Sequence, residues 1–228
     1  MYKINEEADG QKYTLLIPAM LDAHFPLLKY AFYSKNYRPV ILENEELITE
    51  TGLKYVNNDM CYPAILNVGQ IISALQSGIY NLERTRVLMP TAGDACRGSN
   101  YTSVLRRAID NAGFSKVKVL SLNLKGLEKS EQLELNFGMV WRALLSVFYG
   151  DILMLLLNQT RPYEIQKGAA EQCRDRWIEK LSSDIKKGRH LSLREMRNNF
   201  DRIAKDFSLL ELCGEKKQRV GIVGELYI

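Results

Sequence analysis

The 228-residue sequence predicts an α/β fold: a parallel sheet with flanking helices, a Rossmann or flavodoxin-like layer, joined to an all-helical subdomain. In the first half of the chain, short apolar runs alternate with helical patterns, and a crossover between parallel strands needs a helix. From residue 131 to residue 212 no convincing strand pattern occurs. We therefore divide the chain into a polar N-terminal arm (1–11), an α/β domain (12–125), a helical subdomain (126–215) and a strand that begins a second, truncated α/β lobe (216–228).

The α/β domain begins with an apolar run that predicts its first strand. The predicted strands are Tyr13–Ile17, Pro39–Leu42, Arg86–Met89 and Val117–Leu120. Between them we expect a helix from Phe25, a short helix over residues 45–51, a helix that begins near Pro63 and one from Ser99 to Gly113. Asn44 would cap the short helix and Gly52 would follow its end. Proline is well suited to a first helical turn, and Gly78 is placed to stop the helix of Pro63.

Three apolar helices are predicted in the helical subdomain. The first centres on Trp141, the second carries Cys173 and Trp177 on its apolar face, and the third begins at a capping box formed by Ser192 and Glu195. The buried stripe predicted for the third helix consists of Leu193, Met196, Phe200, Ile203, Phe207 and Leu210.

Composition excludes several classes of protein. The net charge of +4 is small and no basic run contains interleaved aromatics, so no nucleic-acid partner is expected. The polar, acidic N-terminus is not a signal peptide. Arg142 and Asp151 interrupt the most apolar stretch, residues 140–157, which is shorter than the ~20 residues of a membrane span. A buried helix, no membrane and a cytoplasmic location are therefore expected, with four cysteines reduced there.

Two cysteines lie in loops from which helices begin. Cys96 follows the strand at Arg86–Met89, and Cys61 precedes Pro63 one βα unit earlier. Both loops should open at the same edge of the sheet, where α/β proteins bind ligands, and a helix start favours a thiolate. Free cysteines are also common in cores, and that interpretation has about equal weight.

The chemistry of the two loops leaves several functions open. Converging thiolates would suit a soft metal, with an iron–sulfur cluster favoured over zinc because paired C-x-x-C spacing is absent. A catalytic thiol would require His24 as its base. Gly93 and Gly98 resemble a phosphate loop, but Ser99 stands where the lysine belongs, so nucleotide is excluded and the glycines would let backbone approach a ligand.

Four motifs together resemble the 2-hydroxyacyl-CoA dehydratase component family, and its acyl-CoA dehydratase activase-related branch in particular. They are Cys61-Tyr-Pro-Ala-Ile-Leu-Asn-Val-Gly69, Pro90-Thr-Ala-Gly-Asp-Ala-Cys-Arg97, Thr160-Arg-Pro-Tyr-Glu164 and Val220-Gly-Ile-Val-Gly-Glu225. They occur in the family's order, and the resemblance as a whole extends from about residue 14 to the end of the sequence. The last ten residues, 219–228, have the pattern of the first strand of another α/β unit, so we expect the chain to be a fragment or one lobe of a larger protein.

This resemblance implies a lobe that carries a [4Fe-4S] or double-cubane cluster and accepts low-potential electrons from an ATP-dependent activase. Cys61 and Cys96 match two cluster ligands, and a third would belong to the remaining lobe. The expected lining residues are His24, Pro63, Gly93, Asp94, Arg97 and Gly98, and acyl-CoA is a further candidate partner. If active, the protein would be a component of a 2-hydroxyacyl-CoA dehydratase or related reductase. The alternative is a cluster-free interaction or regulatory module that retains the fold.

Overall fold

A computed structural model describes residues 12–43, 46–57, 59–90, 100–122, 136–189, 191–215 and 217–218. The strands are β1 (Tyr13–Pro18), β2 (Tyr37–Leu42), β3 (Thr85–Pro90) and β4 (Lys118–Leu122). The helices are α1 (Phe25–Phe32), α2 (Ile48–Tyr55), α3 (Tyr62–Gln76), α4 (Tyr101–Asn111), α5 (Phe137–Thr160), α6 (Ala169–Lys186) and α7 (Leu193–Ser208). The predicted strand at 219–228 lies outside the described residues.

The four strands form one parallel sheet in the order β2-β1-β3-β4. Its register pairs Tyr13 with Tyr37, Thr14 with Thr85, and Arg86 with Lys118. Consecutive residues of the central strands are fully buried, which is why these strands have continuous apolar runs instead of alternating patterns. The predicted α/β fold with an additional helical part is confirmed, and the strand order reverses between β1 and β3.

The chain divides into two compact units. The sheet unit contains residues 12–20 and 34–122 of the described chain, and the helical unit contains residues 21–33 together with those from 136 onward. The predicted boundary near residue 125 lies outside the described residues. Helix α1, which we expected in the α/β domain, belongs to the helical unit. The reason lies in α5, whose charged residues hold both ends of α1.

Arg142 of α5 binds the C-terminal end of α1. Its Nε donates to the carbonyl of Tyr30 at 3.0 Å, and its Nη2 donates to those of Ala31 and Tyr33, each at 3.2 Å. The last carbonyls of a helix lack intrahelical hydrogen-bond donors and carry partial negative charge. A guanidinium both donates hydrogen bonds to these carbonyls and brings a positive charge near them. Burial lowers the pKa of Arg142 from its ordinary value, but an arginine remains charged in proteins.

Asp151 holds the other end of α1 through His24, the residue that precedes the helix. Nε2 of His24 lies 2.9 Å from Oδ1 of Asp151, and the histidine is 5% exposed. Gly150 makes room for the ring, because a Cβ at that position would overlap it. The two charges that interrupt the apolar stretch of α5 therefore both serve to hold α1.

Burial of α5 is one-sided. Its buried residues include Met139, Leu145, Tyr149, Leu153 and Leu157, whereas Phe137, Leu144, Phe148 and Leu155 are exposed. Among the described residues, only the segment Phe137–Tyr163 is long and apolar enough to cross a membrane, with a mean hydropathy of 1.7. The core helix of a folded protein can have the same length and apolar composition.

Helix α6 follows its predicted pattern, whereas the predicted stripe of α7 is only partly buried: Ile203 and Phe207 are buried, and Met196, Phe200 and Leu210 are half-buried. Cys173 and Trp177 are buried on α6, and both hydrogen bonds of the Ser192–Glu195 capping box are present at the start of α7. Leu193 was predicted to be buried but is 57% exposed. It lies in the first turn of α7, whose buried residues are Asn199, Ile203 and Phe207, further along the helix.

The prediction that Gly52 follows the end of a helix is wrong. Gly52 lies inside α2, and residues 44 and 45, the predicted cap and helix start, lie outside the described residues. Glycine is needed there because a Cβ would overlap the backbone carbonyl of Ile65 on α3. A Cβ at Gly69 of α3 would overlap the carbonyl of Ile48 in the same way. The two glycines thus allow α2 and α3 to cross with their backbones in contact.

Gly69→Ala should destabilise the sheet unit. The added methyl meets a backbone carbonyl that cannot rotate away, and overpacking of this kind costs about 1–3 kcal/mol, more than the ~1 kcal/mol that alanine gains in helix propensity. Urea unfolding followed by circular dichroism measures the change. Gly214→Ala is the control, since a Cβ there meets no atom within 4 Å. Unchanged stability of Gly69→Ala would contradict the close crossing.

Arg142→Met should destabilise the helical unit by about 1–3 kcal/mol, because it leaves three helix-end carbonyls without their buried donor. Arg161→Met is the matched control. Arg161 makes an exposed ion pair with Glu171 at 3.4 Å, and such pairs contribute about 0–1 kcal/mol. The same unfolding measurement compares the two variants, and equal effects would show that Arg142 does not hold α1.

Candidate thiol site at the starts of two helices

Helix α3 carries the chain from the β2 side of the sheet back to β3, and a buried amide fixes its position. Gln70 is 2% exposed, its Oε1 accepts from the amide of Ala19 at 2.8 Å, and its Nε2 donates to the carbonyl of Ala19 at 3.1 Å. Ala19 directly follows β1, beside the point where the strand order reverses. Since the chain enters β3 after α3 ends, α3 must begin toward the carboxyl edge of the sheet.

Cys61 lies at the start of α3 as its N-cap residue. Its backbone is extended (φ −62°, ψ 148°), and its carbonyl accepts from the amides of Ala64 and Ile65 at 3.0 and 3.3 Å. Pro63, predicted to lie in the first turn, is there and is buried. The thiol of Cys61 is free and half-buried. Cys61 is therefore partly accessible at a helix start, and it also packs against the core of the sheet unit.

Tyr101 joins the starts of α3 and α4. Its hydroxyl lies 2.6 Å from Sγ of Cys61, a hydrogen bond in which either atom could donate, and its side chain is 8% exposed. Thr102, the next residue of α4, is buried, and its hydroxyl lacks a hydrogen-bond partner within the part of the chain that is described. The contact shows that these two helices begin side by side.

Cys96 lies outside the described residues, as do Gly93, Asp94, Arg97 and Gly98, so the predicted pair of thiols stays a prediction. In the sequence, Cys96 precedes Tyr101 by five residues.

His24 was predicted to line the site, yet its described hydrogen bond is to Asp151 inside the helical unit. Its Nδ1 is buried and has no partner among the described residues. The histidine therefore serves the attachment of α1 to α5. The hypothesis of a catalytic thiol that uses His24 as its base gains nothing from this geometry.

The two other described cysteines have structural surroundings. Cys173 is fully buried in the core of the helical unit, and this burial raises the pKa of its thiol, which disfavours the thiolate that a metal requires. Cys213 follows α7 and donates its amide to the carbonyl of Tyr163 at 2.7 Å. Across the described ranges, no group of three or more His, Cys, Asp or Glu side chains could hold a metal ion.

The motif Thr160–Glu164 fixes the start of α6. Oε1 of Glu164 accepts from the amide of Gly168 at 2.7 Å, and Oε2 accepts from that of Ala170 at 2.8 Å. The hydrogen bonds to Ala170 and Gly168 lower the pKa of the Glu164 carboxyl from its ordinary value. The glutamate therefore has a structural role, which the sequence did not indicate.

Glu164→Gln should reduce the melting temperature at pH 7 more than at pH 3. A carboxyl whose pKa is lowered by folding stabilises the protein above its unfolded pKa, roughly 4.3, and loses that contribution as pH falls through the folded pKa. The parent and the variant should therefore converge in acid. Glu171→Gln is the matched control, because it removes a charge from the start of the same helix without removing these hydrogen bonds to backbone amides. A difference between Glu164→Gln and the parent that does not depend on pH would contradict the carboxylate cap.

The chain matches no protein-family model, no curated protein and no solved structure. The resemblance to the dehydratase components therefore remains a prediction, carried by its four motifs.

Sequence reasoning missed the residues that position Cys61. Neither Tyr101 nor Gln70 was singled out from the sequence. A signal for Gln70 does exist, since Asn67 and Gln70 are polar residues three positions apart in an otherwise apolar helix, and both are buried. The contact between Tyr101 and Cys61 spans 40 residues and depends on tertiary structure.

Proposed function

We propose that the sheet unit contributes Cys61 and Cys96 as thiolate ligands of an iron–sulfur centre that accepts low-potential electrons from an ATP-dependent activase. In this proposal the chain is one lobe of a protein related to the 2-hydroxyacyl-CoA dehydratase components. The observation that carries it is the placement of Cys61: a free, half-buried thiol at the start of α3, in contact with the start of α4 five residues after Cys96.

The two proposed ligands, Cys61 and Cys96, have the side chain that an iron–sulfur centre binds best. Iron–sulfur clusters prefer thiolate ligands, and a cluster with its thiolates is anionic. The starts of α3 and α4 both carry the positive ends of helix dipoles, which favour a nearby anion. Cys173 and Cys213 belong to the helical unit, and neither shares these surroundings.

The chain's own part in this function is to hold and orient ligands. The glycine crossing of α2 on α3 and the bonds of Gln70 to Ala19 fix the helix that carries Cys61. The hydroxyl of Tyr101 donates to the sulfur when Cys61 is a thiolate, because a thiolate has no proton to give. When bound, the cluster supplies one-electron transfer at low potential. The remaining ligands come from outside the chain, from the other lobe in the full protein.

Anaerobic reconstitution of the chain with iron, sulfide and excess small thiol tests the proposal, since the small thiol supplies the missing ligands. We expect iron and sulfide in near-equal amounts and an electron paramagnetic resonance signal after reduction. Cys61→Ser and Cys96→Ser should each lose most of the bound iron, whereas Cys213→Ser should retain it.

If Cys61→Ser and Cys96→Ser bind as much iron and sulfide as the parent, the ligand assignment is wrong. If the folded parent binds neither, the cluster-free interaction module becomes the better account. Circular dichroism of each variant separates loss of a ligand from loss of the fold.

A further inference from the structure

Helix α5 has an apolar face that is directed away from the core of the helical unit. The large apolar residues exposed on this helix, which together form what we call the outer face of α5, are Phe137, Val140, Leu144, Val147, Phe148 and Leu155. Steps of three, four and seven residues bring side chains to the same side of an α-helix. The opposite side of α5 is buried in the helical unit. The outer face is therefore continuous, and contiguous apolar surfaces of this kind mark interaction sites.

A charged residue on the outer face indicates what kind of surface covers it. Asp151 follows Leu144 by seven residues and precedes Leu155 by four, so it lies on the same side of α5. Its side chain is 58% exposed, and its carboxylate binds His24 at 2.9 Å. A carboxylate near the middle of a helix is costly in lipid. At a protein interface, Asp151 keeps the hydrogen bond that it already makes, so the outer face suits a protein surface better than a membrane.

The positions of the largest side chains make the outer face nearly symmetrical about the level of Ser146. Phe137 and Leu155 each lie nine residues from Ser146, and Leu144 and Phe148 each lie two residues from it. Eighteen residues make five full turns, so Phe137 and Leu155 are in line along the helix. When two identical helices pair in antiparallel about a two-fold axis at this level, Phe137 of one copy faces Leu155 of the other, and Leu144 faces Phe148. The outer face is thus complementary to itself.

Asp151 also distinguishes between the two directions in which the helices could pair. In a parallel pair, the two Asp151 carboxylates would face each other and repel. In the antiparallel pair, each Asp151 lies five residues from the centre, so the two are about 15 Å apart along the helix axis. The antiparallel pair therefore avoids this repulsion.

The size of the outer face also suits a second copy of the chain. Its six apolar side chains leave about 500 Å² exposed, toward the upper end of the ~300–600 Å² of the largest apolar patch on a typical monomer. A pair of such faces would bury about 1,000 Å² in total, which is the lower limit for a specific protein interface. The two phenylalanines are of the residue type that is enriched in the cores of such interfaces.

We propose that the chain forms a two-fold symmetric dimer in which the outer faces of two α5 helices pack against each other in antiparallel. The pairs Phe137–Leu155 and Leu144–Phe148 form the core of this interface. All of these residues belong to the helical unit. The dimer does not depend on the iron–sulfur proposal, and the metal-free protein suffices to test it.

Sedimentation equilibrium of the metal-free chain tests the dimer. We expect a monomer–dimer equilibrium in the micromolar range, as suits a small interface. Phe148→Glu places a charge near the two-fold axis and should weaken the dimer by at least about a hundredfold. Leu209→Glu is the matched control, because Leu209 is 72% exposed in the same unit but lies outside α5. This control should dimerise like the parent, and circular dichroism verifies the fold of both variants.

A mixture of Phe137→Cys chains and Leu155→Cys chains tests the direction of the pair. After oxidation, peptide mass spectrometry should find a disulfide that joins position 137 of one chain to position 155 of the other. Disulfides between two copies of position 137 would instead show a parallel pair and contradict the proposal.

A chain that stays monomeric at every concentration measured would overturn the proposal, and so would a Phe148→Glu variant that dimerises like the parent. Cosedimentation of a monomeric chain with phosphatidylcholine vesicles would assign the outer face to a membrane instead.

Discussion

The contact between the backbones of α2 and α3 is the constraint on which the sheet unit depends. Gly52 and Gly69 each leave no room for a side chain against the carbonyl of the other helix. This crossing, together with the bonds of Gln70 to the chain beyond β1, sets the position of α3. The position of α3 in turn determines that of Cys61, because Cys61 is the N-cap residue of that helix. The candidate site is therefore fixed by residues that would never contact a ligand.

In the helical unit, two charged residues of α5 determine the position of α1. The long apolar helix α5 contains two charged residues before its last turn, and both are used to hold α1: Arg142 binds carbonyls at its C-terminal end, and Asp151 binds His24 ahead of its first turn. The signs of these charges match the helix dipole, with the cation at the negative end. Helix α1 follows β1 in sequence but belongs to the helical unit for this reason.

The order of elements could be predicted from the sequence because apolar periodicity and local caps determine it. Contacts between residues that are distant in sequence could not be predicted in this way. Gly52 was misinterpreted because a glycine after a helical pattern usually ends the helix, whereas here tertiary packing requires it inside one. His24 was assigned to the ligand edge because it follows β1, yet its partner Asp151 lies 127 residues away. For the candidate site, the sequence located Cys61 at a helix start, but the neighbouring Tyr101 required the structure.

The proposed function requires Cys61 and Cys96 to lie together as a pair of thiols. Crosslinking of the metal-free Cys213→Ser variant with a short bifunctional thiol reagent, followed by peptide mass spectrometry, measures this directly. We expect a bridged product that joins the peptides of Cys61 and Cys96 within one chain. Separate single modifications of the two cysteines, with no bridged product in the folded protein, would show that the two thiols do not form a pair.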